Sequence, residues 1–406
     1  MSDEQAGDGD DSRLARHAPS RRKPAAGQKG AGRGEFDFIE RLRRAELKRL
    51  DSPRTHSSLA APHSSLLLGI GDDAAVIRQR AGFDTVVTAD LLVEGIDFDL
   101  EHFPASARDL GHKALAVSLS DVAAMGARPR FCLLAVGVPA RRWRTNFLAQ
   151  FYAGLGALAE RHGVRLVGGD ISRTPERVVV DSVVLGEVRH GRAVRRAGAR
   201  PGDQIFVTGS LGGAAAGLQL IEAHARARRG DATKQPVEVD EAPETARAKR
   251  QRMRAGLRLS SAQRRLVQRQ TRPEPRVEWG LFAGGRRLAT AMIDLSDGLS
   301  SDLAHLCRES GVGARVEAES LPLDPDLEAA GLGGADLLSL ALDGGEDFEL
   351  LFTVRPRDAS KLPREVGGVP VTRVGEITAG RGRLSLVRQG RARPLRPGGF
   401  EHFRRP

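Results

Sequence analysis

Two cysteines, Cys132 and Cys307, are all that 406 residues contain. That is too few for a disulfide framework or a multi-thiolate zinc site. Both sit in apolar surroundings and are expected to be reduced core residues. No apolar run reaches the roughly 18–20 residues of a membrane span. The first thirty residues lack the apolar centre of a signal peptide. The expectation is a soluble, cytoplasmic protein with no membrane partner. Also missing are a GxxxxGKS/T P-loop, a kinase HRD…DFG set, a GxGxxG dinucleotide fingerprint, a GxSxG elbow and an HExxH pair. If the chain handles nucleotide phosphates, it does so without a P-loop lysine.

Charge is unevenly spread. The net charge is +11, yet residues 222–275 hold 14 Lys/Arg against 7 Asp/Glu, and residues 1–33 hold 7 against 5. The rest of the chain is nearly balanced. Residues 1–33 are rich in Gly, Ser, Pro and charge, and read as a disordered tail. Residues at about 222–275 read as a solvated, basic insertion, partly helical. They lack the aromatic interleaving that stacks nucleobases, so nucleic-acid contact is the weaker reading of them.

Two globular blocks remain, about 34–190 and 191–406, the second carrying the insertion. In the first, LLLGI, DTVVTAD, FCLLAVGV, RLVGG and RVVVDSVVLGEV are strand-like, while ARDLGHKALAVSLSDVAAMGA and WRTNFLAQFYAGLGALAERHG have helical spacing. In the second, DQIFVTG, AMIDL, ARVEAESLPL and EDFELLFTV read as strands, GGAAAGLQLI and SSDLAHLCRESG as helices. The alternation predicts an α/β fold class, with helices and sheets in layers.

Aspartates stand just after many of these apolar runs: Asp72 and Asp73, Asp90, Asp121, Asp170, Asp294 and Asp297. One such residue is an ordinary helix cap or turn former. Seven of them can converge where strand ends share a cleft. Repelling carboxylates stay ionised there only with cations among them. Hard oxygen ligands without His or Cys clusters point to Mg²⁺. Metal-held phosphates are what transfer between two anions requires. Glycines beside the acids, Gly69, Gly71, Gly168, Gly169, Gly298, Gly344 and Gly345, let backbone approach a ligand closely. The run Gly209-Ser210-Leu211-Gly212-Gly213 fits either a second phosphate loop at a helix start or a plain tight turn.

The motifs GEFDFIERL, LGIGDDAAV, TADLLVEGIDF, KALAVSLSDVAAMGARP, VGGDISRT, RAGARPGDQIFVTGSLG, IDLSDGLSSDL and LDGGEDFELLFTV follow one another in the order and spacing of thiamine-monophosphate kinase. The chain resembles that family, within the aminoimidazole ribonucleotide synthetase superfamily, over about residues 34–221 and 276–406. The resemblance implies a two-domain synthetase-like fold. Its N-terminal domain forms a shared β-barrel in a homodimer and binds ATP and Mg²⁺, and a C-terminal α/β domain flanks it. It implies ATP-dependent phosphorylation of thiamine monophosphate to thiamine diphosphate by direct in-line transfer, with several Mg²⁺ ions and no side-chain nucleophile.

Carried over residue by residue, Asp73, Thr88, Asp90, Asp121, Asp170, Asp294 and Asp297 match metal ligands, with Asp72 assisting. Gly169, Asp170, Arg196 and Ser296 match ATP contacts; the Arg196 fork suits phosphate oxygens, although Arg196 also lies in a basic stretch where a plain surface charge would be ordinary. Glu346 matches an acceptor contact. Two departures fall on the acceptor side: Asp97 stands where the family commonly has His, and Pro397 where it often has Trp, with Phe400 the nearest aromatic. The rivals are other ATP-using enzymes of the superfamily, for purine cyclisation or selenophosphate synthesis, and a basic nucleic-acid-binding protein. Residues 1–131 contain no Cys, which disfavours the selenium branch, and the chain ends in RRP rather than the Cys of the hydrogenase-maturation branch.

Overall fold

The computed structural model describes residues 79–100, 106–229, 259–332 and 335–400, with short pieces at 41–42, 44, 66–68 and 76–77. Strands β1 (Leu66–Leu68) and β2 (Val76–Ile77) pair as a two-stranded ribbon. A four-stranded sheet follows, made of β3 (Phe83–Val93), β4 (Arg128–Pro139), β5 (Arg165–Thr174) and β6 (Val179–Arg189) in the order β3-β6-β4-β5. Only the β4–β5 pair is parallel. Alternate residues of β6 are buried, so one face of the sheet is covered and the other is not.

Helix α1 (Ala107–Ala124) starts at Ser106, whose hydroxyl accepts from the Asp109 amide while the Asp109 carboxylate accepts from the Ser106 amide. It crosses α2 (Phe147–His162) closely. A Cβ on Gly111 would collide with the Phe151 carbonyl, and one on Gly154 with the Arg108 carbonyl, so glycine at both positions sets the separation. At the end of α2, burial and then neighbouring Arg161 lower the His162 pKa from 6.5 to about 4. Such a group contributes stability above pH 6.5 that is lost as pH falls towards 4. His162→Leu is therefore expected to spare about 2 kcal/mol of acid destabilisation, seen as a smaller drop in Tm between pH 7 and pH 4.5 than in the unaltered protein.

The second sheet holds β7 (Gln204–Thr208), β8 (Ala289–Asp294), β9 (Gly313–Glu317), β10 (Leu350–Val354), β11 (Glu365–Val366), β12 (Val369–Thr378), β13 (Leu384–Arg388) and β14 (Arg391–Pro394). Seven run in the order β14-β13-β9-β12-β7-β10-β8, with β11 hairpinned on β12. All pairings are antiparallel except β13 on β9. Around it lie α3 (Gly213–Arg229), α4 (Ser261–Thr271), α5 (Val277–Gly285), α6 (Leu299–Ser310) and α7 (Ala335–Asp343).

Both faces of the central strands are buried. Phe206, Met292, Leu350 and Phe352 join Trp279 of α5 and the first unit's Leu115 and Phe151 in one core. Ile205, Val207, Ile293 and Leu351 face the opposite way, onto Leu299 and Leu303 of α6. The core thus runs across the boundary expected near residue 190. Gly280 of α5 seats against α1, where a Cβ would strike the Ala123 carbonyl. Arg276, just before α5, grips buried Glu349 through Nε and Nη2 at 2.6 and 2.5 Å, and the Thr208 hydroxyl donates to the same carboxylate at 2.7 Å. Arg276→Met would leave that carboxylate buried without its cation, at an expected cost of about 3–5 kcal/mol, measurable by urea denaturation.

The basic insertion is shorter than expected. Residues 213–229 form one helix, and α4 buries Ala262, Leu266, Val267 and Gln270 against α3 and the loops beside it. Polar residues dominate α4, but its few apolar ones are spaced at helical intervals and find a partner helix. Residues 259–275 are therefore part of the packed unit, whereas 230–258 and the 1–33 tail lie outside the described residues. Among the described residues no helix is long and apolar enough to cross a membrane.

Candidate active site

Thr88 and Asp90 are two apart on β3, so both point to the same face of the sheet, towards α1. Ser118 and Asp121 are three apart on α1 and share a face of that helix. The two periodicities mesh. Thr88 Oγ1 donates to Asp121 Oδ2 at 2.5 Å, and Ser118 Oγ to Asp90 Oδ2 at 2.6 Å. Ser182, opposite Asp90 in the β3–β6 pairing, lies 2.7 Å from the Ser118 hydroxyl. Ser120 reaches the other way and donates to Asp294 Oδ2, at the end of β8, at 2.8 Å. One helix thus gathers carboxylates from both units.

Their electrostatics agree with this grouping. Burial and then the Asp121 charge push the Asp90 carboxyl up to about 6. Burial raises Asp121, against the Thr88 hydrogen bond and the Arg196 charge. Burial and then Asp121 raise Asp294 to about 7, with Arg196 again opposing. Asp302, which accepts from the Asp297 and Gly298 amides at 3.1 Å, is pushed up to about 8 by burial, then by Asp294 and Asp297. The carboxylates repel one another and Arg196 alone is a weak counterweight, so a hard divalent cation fits the group in kind. Among the described residues no three carboxylate, His or Cys side chains are close enough to enclose a metal ion by themselves. Phosphate oxygens of a nucleotide are the natural remaining ligands for magnesium.

The residues expected on the acceptor side join this group through the backbone at Ser296 and Asp297. The Glu346 amide donates to the Ser296 carbonyl at 2.8 Å, joining the loop before α6 to the loop before β10. The Lys113 ammonium is 2.7 Å from Glu346 Oε1 and donates to the Asp97 carbonyl at 3.2 Å. Asp97 turns its own carboxylate back onto the Val93 amide at 2.8 Å. Pro397 is exposed and Phe400 is 54% exposed. The segment holding them is strapped to the start of α6, through Gly398 N to Ser300 Oγ, Gly399 N to Ser301 Oγ, and Phe400 N to the Asp297 carbonyl, all at 3.1 Å.

Other expected residues stand apart. Asp170 is exposed and pairs in register with Ala135, which is opposite Asp181; that row lies on the sheet face turned away from α1, while Asp90, Ser182 and Leu134 lie on the other. Gly169, next to it, is where a Cβ would strike the Leu134 carbonyl. Asp72 and Asp73 lie outside the described residues. The Gly209–Gly213 run is not an open phosphate loop. The Gly212 amide of the run and the Ala214 amide just after it donate to the Asp347 carboxylate at 2.7 and 3.1 Å, so an internal anion holds the helix start. Burial pushes the Asp347 carboxyl up to about 7. Both cysteines are buried, and burial lifts the Cys307 thiol to about 12, which leaves it inert.

Sequence reasoning missed Ser118, Ser120, Ser182, Lys113, Gln270, Asp302 and Asp347. A signal existed for the first four: buried polar residues inside otherwise apolar elements need partners. Gln270 and Asp347 are paired across long stretches of chain, and Asp302 caps amides four and five residues before it.

Two α/β units, each built on one sheet with helices against it, meet along α1 with acids from both at the seam. Family models for AIR synthase related protein match here, the N-terminal domain over residues 71–188 and the C-terminal domain over 200–387. The thiamine-monophosphate kinase of Salmonella typhimurium (strain LT2) is 35% identical over 376 residues, 92% of this chain and 99% of that one. That of Bacillus subtilis (strain 168) is 32% identical over 373 residues, 91% of this chain and 99% of that one. The crystal structure of thiamine-monophosphate kinase from Stenotrophomonas maltophilia K279a aligns with a TM-score of 0.68 at 37% identity, covering 87% of this chain and 96% of that one. AaThiL complexed with AMPPCP and TMP aligns with a TM-score of 0.62 at 27% identity, covering 93% and 100%. The chain belongs to the thiamine-monophosphate kinase family.

Proposed function

We propose that the protein transfers the γ-phosphoryl group of ATP to the phosphate of thiamine monophosphate, forming thiamine diphosphate and ADP. The observation that carries this is the junction built on α1, where Asp90 and Asp121 of one unit meet Asp294 of the other under the field of Arg196. Magnesium held by Thr88, Asp90, Asp121, Asp294 and Asp297 would supply charge neutralisation of the phosphates and polarisation of the γ-phosphoryl oxygens. Ser118 and Ser120 orient Asp90 and Asp294, and Asp302 holds the backbone at Asp297 and Gly298. Ser296 and Arg196 lie on the nucleotide side, and Arg196 presents its fork to phosphate oxygens. Glu346, Asp97 and the 397–400 strap border the acceptor. No side-chain nucleophile or general base is needed, because an ionised phosphate oxygen of the acceptor attacks the γ-phosphorus in line while the bond to the β–γ bridging oxygen breaks.

Residues 34–190 and 191–406 act as the two halves of this site. The exposed face of edge strand β3, with Val87 at 62% and Leu91 at 59% exposure beside Val183 and Leu185 of β6, suits a second copy of the chain, which would close the open sheet as a homodimer in the cytoplasm. A monomer at micromolar concentration in light scattering would overturn that assembly. The activity itself is tested by incubating the protein with ATP, Mg²⁺ and thiamine monophosphate and separating thiamine phosphates by chromatography. Thiamine diphosphate and ADP in equal amounts are expected. ADP release that ignores thiamine monophosphate but follows another acceptor would refute the assignment.

A further inference from the structure

Glu346 is held in an unusual way. Its backbone is left-handed, with φ at 66°, a conformation a long side chain adopts only under constraint. Both carboxylate oxygens are occupied by groups from distant parts of the chain. Oε1 meets the Lys113 ammonium of α1 at 2.7 Å, and Oε2 accepts from the Gln270 amide of α4. Lys113 and Gln270 are 3% and 4% exposed, whereas the Glu346 side chain remains 27% exposed. The Gln270 carbonyl oxygen is buried without a hydrogen-bond partner. Turning the amide over would satisfy nothing, because it would set that oxygen against the Glu346 carboxylate. The residue thus forgoes one hydrogen bond to keep its N–H on Glu346. Lys113 also donates to the Asp97 carbonyl at 3.2 Å. A single buried cation therefore fixes the spacing between two stretches that border the acceptor, the 93–98 turn and the 343–348 loop.

We propose that Lys113 and Gln270 are positioning residues for the acceptor, clamping the Glu346 carboxylate so that its open side meets the nitrogen-bearing, cationic end of thiamine monophosphate in a preset orientation. The proposal rests on the functional reading above and adds to it. Neither residue touches the reacting phosphorus in this scheme, so they act on acceptor binding rather than on transfer.

The test is a cycle of K113M, E346Q and the double variant, with Q270L alongside, read as separate KM values for thiamine monophosphate and ATP. K113M is expected to raise the acceptor KM about tenfold and Q270L about threefold, with the ATP KM within about twofold and kcat little changed. Because both act through Glu346, the double variant should be no worse than E346Q alone. K113R should recover part of the loss. Effects of K113M and E346Q that multiply in the double variant, or equal shifts in both KM values, would overturn the proposal. If K113M does not fold, the Q270L and E346Q cycle decides the same question. Should the unaltered protein turn over a different acceptor, the thiamine reading fails alone, and the same cycle read on that acceptor's KM still decides the clamp.

Discussion

Asparagine in place of Asp90 is expected to give a folded protein whose kcat falls by at least about 10³-fold. The substitution keeps the side chain's shape and its acceptor oxygen for Ser118, which bonds Asp90 at 2.6 Å. It removes the charge that a divalent cation would need. Stability should not suffer. Burial and Asp121 push the Asp90 carboxyl up to about 6, so holding it ionised at pH 8 costs the metal-free protein free energy. The Tm of Asp90→Asn without metal is therefore expected to equal or exceed that of the unaltered protein, a trade of stability against activity common at charged sites. Near-normal thiamine diphosphate formation by this variant would contradict the metal-holding role, and a lowered Tm would contradict the electrostatic account.

Withdrawal of divalent cations is the second large effect. Chelation should abolish turnover, and added Mg²⁺ should restore it in the unaltered protein but not in Asp90→Asn. Binding is separable from chemistry by thermal melting. ATP at a hundred times its Kd would add about 2.7 kcal/mol to the folded state, and that gain is expected only with Mg²⁺ present. Equal stabilisation by ATP with and without the metal would mean that Arg196 and backbone amides suffice to bind nucleotide.

Much of this was legible beforehand because it is local. The alternation of strand and helix runs located β1, β3 to β10, α1 to α3 and α6, since apolar periodicity is a property of neighbours in sequence. Strands β12 to β14 carry Arg, Thr and Gly on half-exposed faces and show no such run. Helix α4 reads from the sequence as solvated chain because polar residues outnumber its apolar ones; its four buried side chains become visible only against α3. The Gly209–Gly213 loop resembles a phosphate cradle in composition, and nothing nearby reveals that Asp347, more than a hundred residues later, occupies its amides.

The amino-acid sequence by itself determined the family, the carboxylate-rich set of candidate site residues, and the absence of a thiol or hydroxyl nucleophile motif, because those follow from residue types in fixed local order. The tertiary structure decided which acids share a charge field. Asp90, Asp121 and Asp294 do, through Ser118 and Ser120 on one helix, while Asp170, equally acidic and equally placed at a strand, faces away. It also decided that one buried lysine ties Asp97 to Glu346. Side-chain direction and cross-domain contact depend on sheet register and helix crossing, and these arise only when distant segments bury their apolar faces against one another.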